Sequence, residues 1–278
     1  MTAAPASDRR AASRWGDLRL RVLSATVLAP LALGCIWIGG TAFAVLLALV
    51  TAGLAHEWLG LCHRRTPIAI AVFASLPLAV MVAAWHGATA ALGALAIATL
   101  AGISLAGGLS RSRPLAFGIP YLGLAAVALV WLRQPAISGG ANVIVLLLIV
   151  WASDIGAYVA GRAIGGPRLA PAISPGKTWS GAAGGLAAAA ATGFAAAALL
   201  GNGPISWRPV AIALLIGLIS QCGDLFESQL KRHFGVKDSG NIIPGHGGLL
   251  DRLDAVLTAA PAAALLALIL GRGVILWG

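Results

Sequence analysis

Charge is what this sequence has least of. Only 10% of its 278 residues are Asp, Glu, Lys or Arg, against about 25% in an ordinary soluble domain, and that shortage excludes a water-soluble body for the chain. Acid is the scarcer sign, with nine carboxylates against 19 Lys and Arg and a net charge of +10. Cysteine is nearly missing too: Cys35, Cys62 and Cys222 stand far apart with no CxxC pair, which excludes a disulfide framework and a cysteine-ligated metal site. No array of basic and aromatic residues is present to meet nucleic acid, so the positive balance does not imply a nucleic-acid partner. The Gly176-Lys177-Thr178 run lacks the earlier glycine of a Walker loop, Pro171 standing in its place, and a P-loop ATPase is excluded as well.

What the sequence has is apolar length. It is 59% hydrophobic with a mean hydropathy of +0.91, and runs close to the ~20 residues that cross a ~30 Å hydrocarbon core recur along most of it. Because lipid satisfies no backbone group, such runs are helices. The pattern predicts an all-α polytopic membrane protein of about nine spans, near 22–40, 41–57, 67–85, 88–106, 115–132, 141–160, 179–200, 207–226 and 256–275. An odd number puts the termini on opposite sides. All Lys and Arg except Arg133, Arg208 and Arg272 then fall on the side of the N-terminus, which the positive-inside rule makes the cytoplasm; the C-terminus is expected to be periplasmic and the protein to sit in a bacterial inner membrane. The excess positive charge also suits anionic lipid headgroups. The arginine-rich residues 1–21 precede a full-length span with another directly behind it, and are read as a retained cytoplasmic segment, not a signal peptide.

The halves differ. Residues 22–133 are spans joined by short loops with Glu57 as their only acid, and read as scaffold; residues 141–278 hold Asp154, Asp224, Glu227, Asp238, Asp251 and Asp254, six of the nine carboxylates, and both long loops on the cytoplasmic side. Function is expected in the second half. Gly181, Gly184 and Gly185 put small residues at helical spacing, the pattern of close helix packing in lipid, and long helices of this kind are compatible with a homodimer. No matching pair of interrupted spans supports an inverted-repeat transporter.

A carboxylate at membrane depth is costly unless paired or hydrated, so Asp154 in IVWASDIGAYVAGR and Asp224 in SQCGDLFESQLKR are functional or structural partners. On a continuing helix Asp224, Glu227 or Ser228, and Lys231 share one face, while Glu227 alone reads equally as half of an exposed i, i+4 pair with Lys231. Asp251 and Asp254, at i, i+3, enter the last span facing the same cleft. Converging carboxylates without cysteine or histidine suit a hard cation such as Mg²⁺, and Lys231, Arg232, Lys237 and Arg252 among them imply phosphate. Gly245, Gly247 and Gly248 of PGHGGLLDR precede a helix where backbone N–H groups can meet phosphate. His246, a structural loop histidine when taken alone, is drawn by those neighbours towards the same phosphate. In ISPGKTWSG, Pro175 and Gly176 are expected to turn the chain so that Lys177 and Thr178 open a helix beside an anion, against the plainer reading of a cap and a topological lysine.

These residues resemble the phosphatidate cytidylyltransferase (CDP-diacylglycerol synthase) family. Its S-x-x-K-R, K-D-x-[GSA], P-x-H-G-G and D-R-x-D signature is filled by Ser228, Lys231, Arg232, Lys237, Asp238, Gly240, Ile243, Pro244, His246, Gly247, Gly248, Asp251, Arg252 and Asp254. Asp154, the Ser174-Pro175-x-Lys177-Thr178 run and Asp224 also have counterparts there. Over residues 140–260 the resemblance implies CTP and phosphatidic acid as substrates and CDP-diacylglycerol and pyrophosphate as products, by in-line attack of a lipid phosphate oxygen without a protein nucleophile. It implies Mg²⁺, with room for a second cation, on Asp224 and Asp251 with Asp254 as a third or supporting ligand. Lys177, Lys231, Arg232, Lys237, Arg252 and His246 would neutralise phosphates, and Ser174, Thr178 and Ser228 would add neutral hydrogen bonds. Two other readings compete: a CTP-dependent lipid-alcohol kinase, against which the complete signature argues, and a transporter, which would need acids at the midplane.

Overall fold

The computed structural model describes residues 22–24, 26–106, 108–134, 139–201, 206–271 and 277, with 109–111 as backbone alone. The basic segment 1–21 and Arg272 lie outside the described residues. The helices are α1 (Val22–Ile38), α2 (Gly40–Leu61), α3 (Pro67–Phe73), α4 (Ser75–His86), α5 (Ala88–Leu105), α6 (Leu109–Leu132), α7 (Gly140–Ile164), α8 (Trp179–Leu200), α9 (Arg208–His233) and α10 (Leu250–Ile269). Among the described residues eight helices, α3 and α4 counting as one, are long and apolar enough to cross a membrane, and α1 is shorter. The chain is a polytopic, nearly all-helical membrane protein, inside out in its exposure: Trp37, Leu49, Ile97 and Leu199 are exposed while Glu57, Asn142, Ser153 and Glu227 are buried.

Where the helices start and stop departs from the hydropathy pattern for local reasons. Gly39 and Gly40 take φ of 70° and 53°, a region that costs glycine nothing, and so separate α1 from α2. Pro77 has no N–H for the carbonyl of Phe73, and α3 ends there. The α9 helix runs to His233 and α10 begins at Leu250, because charged residues at the two ends lower hydropathy without interrupting a helix. Thus Asp251 and Asp254 sit within α10 itself.

The region between α7 and α8 is not helical. Residues β1 (Arg168–Ala170) and β2 (Ser174–Thr178) form an antiparallel hairpin, pairing Arg168 with Thr178 and Ala170 with Ser174. This corrects the expectation for Pro175-Gly176: the turn falls at 171–173, Pro175, Gly176 and Lys177 are in β2, and Thr178 caps α8 by accepting from the Gly181 N–H at 3.1 Å.

The α7–α8 contact is the most extensive in the bundle, and small residues make it so. A Cβ added at Gly156 would stand 2.8 Å from the Gly184 carbonyl oxygen, and one at Gly181 would stand 2.8 Å from that of Ala157. In lipid, where the hydrophobic effect does not drive helices together, such backbone approach supplies the attraction.

Glu57, near the end of α2, ties the first half to the second. Its buried carboxylate accepts from the N–H groups of Leu249 and Leu250 at 2.9 and 2.8 Å and from Ser239 Oγ at 3.1 Å, capping the positive N-terminus of α10 from another helix. Removing the acceptor strands buried donors at a cost of roughly 1–3 kcal/mol each. Glu57→Ala is therefore expected to lower the thermal midpoint of the protein in detergent by about 5 °C or more, with Glu57→Gln in between because its amide keeps one acceptor; an unchanged midpoint for the alanine variant would contradict this role.

Candidate active site

One end of the bundle collects the charge. The ends of α2, α5, α7 and α9, the starts of α1, α3, α6, α8 and α10, the hairpin and the 234–249 loop meet there, as the contacts of Glu57, of Trp58 Nε1 with the Pro114 carbonyl (3.0 Å) and of Ser24 Oγ with His246 Nδ1 (2.9 Å) require. At the far end Arg133 donates to the carbonyls of Ile36 and Trp37. Among the described residues, the sequence's division of basic residues is thus a physical division between two ends.

Two lysine–aspartate pairs organise the site. Lys177 Nζ on β2 lies 2.5 Å from Asp224 Oδ2 on α9, both about a third exposed or less. Lys231 Nζ on α9 lies 2.6 Å from Asp251 Oδ1 on α10 and 3.2 Å from Oε1 of Glu227. Glu227 has no exposed surface, and neither of its oxygens receives a directed hydrogen bond, so the Lys231 charge is its chief compensation. Thus Glu227 is not half of an exposed pair. The second Asp251 oxygen accepts from the Ser239 N–H at 3.0 Å. Gly248 makes room for this: a Cβ there would stand 2.7 Å from Asp251 Oδ2 and 2.9 Å from the Gly240 nitrogen.

Asp154 of α7 and Asp224 of α9 line one space, and Asp254 of α10 is near enough to feel the charge of both. Ser228 Oγ donates weakly to Asp224 Oδ1 at 3.5 Å. A cavity of about 430 Å³ opens beside them, lined by Asp154, Tyr158, Arg162, Arg168, Lys177, Thr178 and Asp224 among others. This donor set consists of oxygens alone and fits a hard cation, although among the described residues no three His, Cys, Asp or Glu side chains are already gathered at ligating geometry. An ammonium at each of Asp224 and Asp251 marks the negative charge that a divalent ion would balance.

Other residues singled out by the sequence do other things here. Arg232 donates to the Val236 carbonyl at 3.1 Å and closes the end of α9; Arg252 donates twice to the His246 carbonyl, at 3.0 and 2.6 Å; and the His246 ring turns to Ser24 on α1. These three fasten the 234–249 loop. Gly245 and Gly247, at φ of 76° and 86°, let it fold tightly, with Ile243 and Gly247 bridged. Lys237 is exposed on the loop, Ser174 is half-buried in β2, and Thr178 Oγ1 is engaged as the α8 cap and with Ser180 Oγ at 3.0 Å.

Four contributors went unrecognised in the sequence. Glu57 carried a signal as the one acid among the first spans, whereas Ser239, which gives its N–H to Asp251 and its hydroxyl to Glu57, carried none. Arg162 and Arg168 were submerged in the general positive bias of this end. The thiol of Cys62 supplies no nucleophile, since burial pushes it up to about 12.

Residues 19–270 match the cytidylyltransferase family. The phosphatidate cytidylyltransferase of Brucella suis is 38% identical over 247 residues, covering 88% of this chain and 91% of the relative. That of Pseudomonas aeruginosa is 36% identical over 270 residues, covering 92% and 99%, and that of Haemophilus influenzae is 44% identical over 120 residues, covering 42% of each. The Haemophilus match is the more local one, whereas the family match takes in α2 with its Glu57 together with both lysine–aspartate pairs. The chain, a membrane-embedded nucleotidyltransferase, belongs to the cytidylyltransferase family.

Proposed function

We propose that this enzyme is a phosphatidate cytidylyltransferase, converting CTP and phosphatidic acid to CDP-diacylglycerol and pyrophosphate at the cytoplasmic face of the bacterial inner membrane. The observation that carries the reading is the meeting of Lys177–Asp224 and Lys231–Asp251 at one end of a helical bundle, the first of them beside an open cavity. Both substrates are polyanions, and the reaction joins them by attack of a lipid phosphate oxygen on the α-phosphorus of CTP, with pyrophosphate leaving. No protein nucleophile is needed. Positioning and charge neutralisation lower the barrier.

Each part of the site has a task in that reaction. Lys177 and Lys231 neutralise phosphate oxygens brought against them, and the carboxylates they contact hold both ammonium groups in place until then. Glu227 keeps Lys231 charged and directed from a fully buried position. The N–H groups of Gly247, Leu249 and Leu250 are already taken by the Ile243 carbonyl and Glu57, so the fastened 234–249 loop, with Gly247 and Gly248 ahead of α10, serves by holding the Ser239 N–H against Asp251 and not by presenting a row of donors to the nucleotide phosphates. Asp224, Asp251 and Asp254 are the residues that would hold Mg²⁺, with Asp154 beside them. When bound, the ion supplies charge to the triphosphate and stabilises the pyrophosphate leaving group.

In detergent, purified enzyme given labelled CTP, phosphatidic acid and Mg²⁺ is expected to form CDP-diacylglycerol with one pyrophosphate per turnover, and Asp251→Asn to lose about a hundredfold or more in kcat. Formation of CDP with a lipid alcohol as sole acceptor would replace this reading with that of a kinase. Chelation with EDTA should abolish turnover and added Mg²⁺ restore it, measured on one preparation to exclude unfolding; persistent activity in EDTA would remove the metal from the scheme. The topology has its own check. In spheroplasts, a tag ahead of residue 1 should resist added protease while an alkaline phosphatase fused after residue 278 is active, and the opposite pattern would put the site on the outer face.

A further inference from the structure

Arg162 and Arg168 stand in the cavity wall with Tyr158, Lys177 and Asp224. Among the described residues the ion pairs belong to Lys177 and Lys231, so neither arginine is neutralised by a carboxylate, and Arg168 reaches only the Gly176 carbonyl, at 3.4 Å. Two unpaired guanidiniums at the edge of a cavity call for an anion with several acceptor oxygens, because each presents a planar fork of donors that matches phosphate two oxygens at a time.

The outer side of the same wall is apolar. Ile155, Tyr158 and Arg162 follow one another at i, i+3 and i+7, one stripe along α7. Ile155, Tyr158 and Val159 are 64%, 66% and 57% exposed, and Trp179 at the start of α8 is 62% exposed, on helices whose composition puts that surface in hydrocarbon. Over about 10 Å of helix the stripe passes from aliphatic to tyrosine to guanidinium. A phospholipid presents its groups in that order: acyl chain, ester, phosphate. A nucleotide has no group for the aliphatic end.

We propose that this α7 stripe, with Arg168 across it on the hairpin, is the seat of the lipid substrate, which slides in sideways from the bilayer and sets its phosphate between Arg162 and Arg168. The assignment rests on the phosphatidate reading above. It also explains selection against the bulk lipid: a phosphomonoester carries about −1.5 to −2 charges at neutral pH, matching two guanidiniums, whereas a phosphodiester lipid carries one and has fewer free oxygens.

The test uses full-length protein in mixed micelles with phosphatidic acid bearing a diazirine in its acyl chain, photolysed and mapped by mass spectrometry. Label is expected on the peptides holding 151–164 and Trp179, displaced by unlabelled phosphatidic acid but not by phosphatidylglycerol or glycerol 3-phosphate. It should fall about fivefold or more in an Arg162→Gln, Arg168→Gln double variant. In that variant the KM for phosphatidic acid should rise about tenfold or more, the loss of ~1.4 kcal/mol of binding, while the KM for CTP stays within about twofold; the corresponding double lysine variant should recover part of the loss. Label mapping to other helices, a rise in the CTP KM instead, or no change in either constant would each overturn the assignment. Wild-type protein that captures no phosphatidic acid anywhere would overturn the phosphatidate reading along with it.

Discussion

Among the described residues, the ammonium of Lys231 alone meets two carboxyl groups. It is the counter-charge for Asp251 on the neighbouring helix, and it also lies 3.2 Å from Glu227 one turn back on its own, in a place where Glu227 has no access to water. Breaking such a pair leaves an uncompensated charge in a medium that solvates it poorly, at a cost of roughly 3–5 kcal/mol. The spacing of α9 from α10 is fixed by that demand, and with it the bearing of Asp224, Asp251 and Asp254. Because Asp251 also accepts from the Ser239 N–H, the same charge balance reaches into the 234–249 loop. Packing, loop shape and the electrostatics of the site are therefore aspects of one arrangement.

The two halves of the chain divide the work less sharply than their composition implies. The first half contributes no residue to either lysine–aspartate pair, yet Glu57 holds the start of α10 and the hydroxyl of Ser239, and Ser24 of α1 meets the ring of His246. Precision at the site is thus borrowed from helices that take no part in the chemistry. The close α7–α8 contact plays the corresponding role on the other side, giving the hairpin that bears Lys177 a rigid base.

Much of this was legible in the sequence because a charged residue is conspicuous against alanine and leucine. The pairings of Asp224 with Ser228 and of Glu227 with Lys231 along α9 could be expected from helical phase, and the spans from apolar length. Helix ends were less legible. Hydropathy drops wherever Asp or Lys appears, so it hid the first turn of α10 and the last two turns of α9, which carry the site. A hairpin of three- and five-residue strands leaves no periodicity to read. The orientations of Arg232, Arg252 and His246 depend on which backbone carbonyl or hydroxyl lies within reach, and residue type says nothing of that. Glu57 was visible as an anomaly, but its partners lie 182 to 193 residues away along the chain, beyond any local pattern.

That separation has a consequence for how the protein is made. A ribosome adding about 5–20 residues per second completes α2 roughly 10–40 s before it reaches Leu249. For that interval the nascent chain holds a carboxylate near the end of a membrane helix with none of its final hydrogen-bond partners yet synthesised. The acid must wait in contact with water or within the insertion machinery. Docking of α10 then withdraws it into the protein, so a helix whose translation starts 193 residues after Glu57 is the one that closes the first half of the fold.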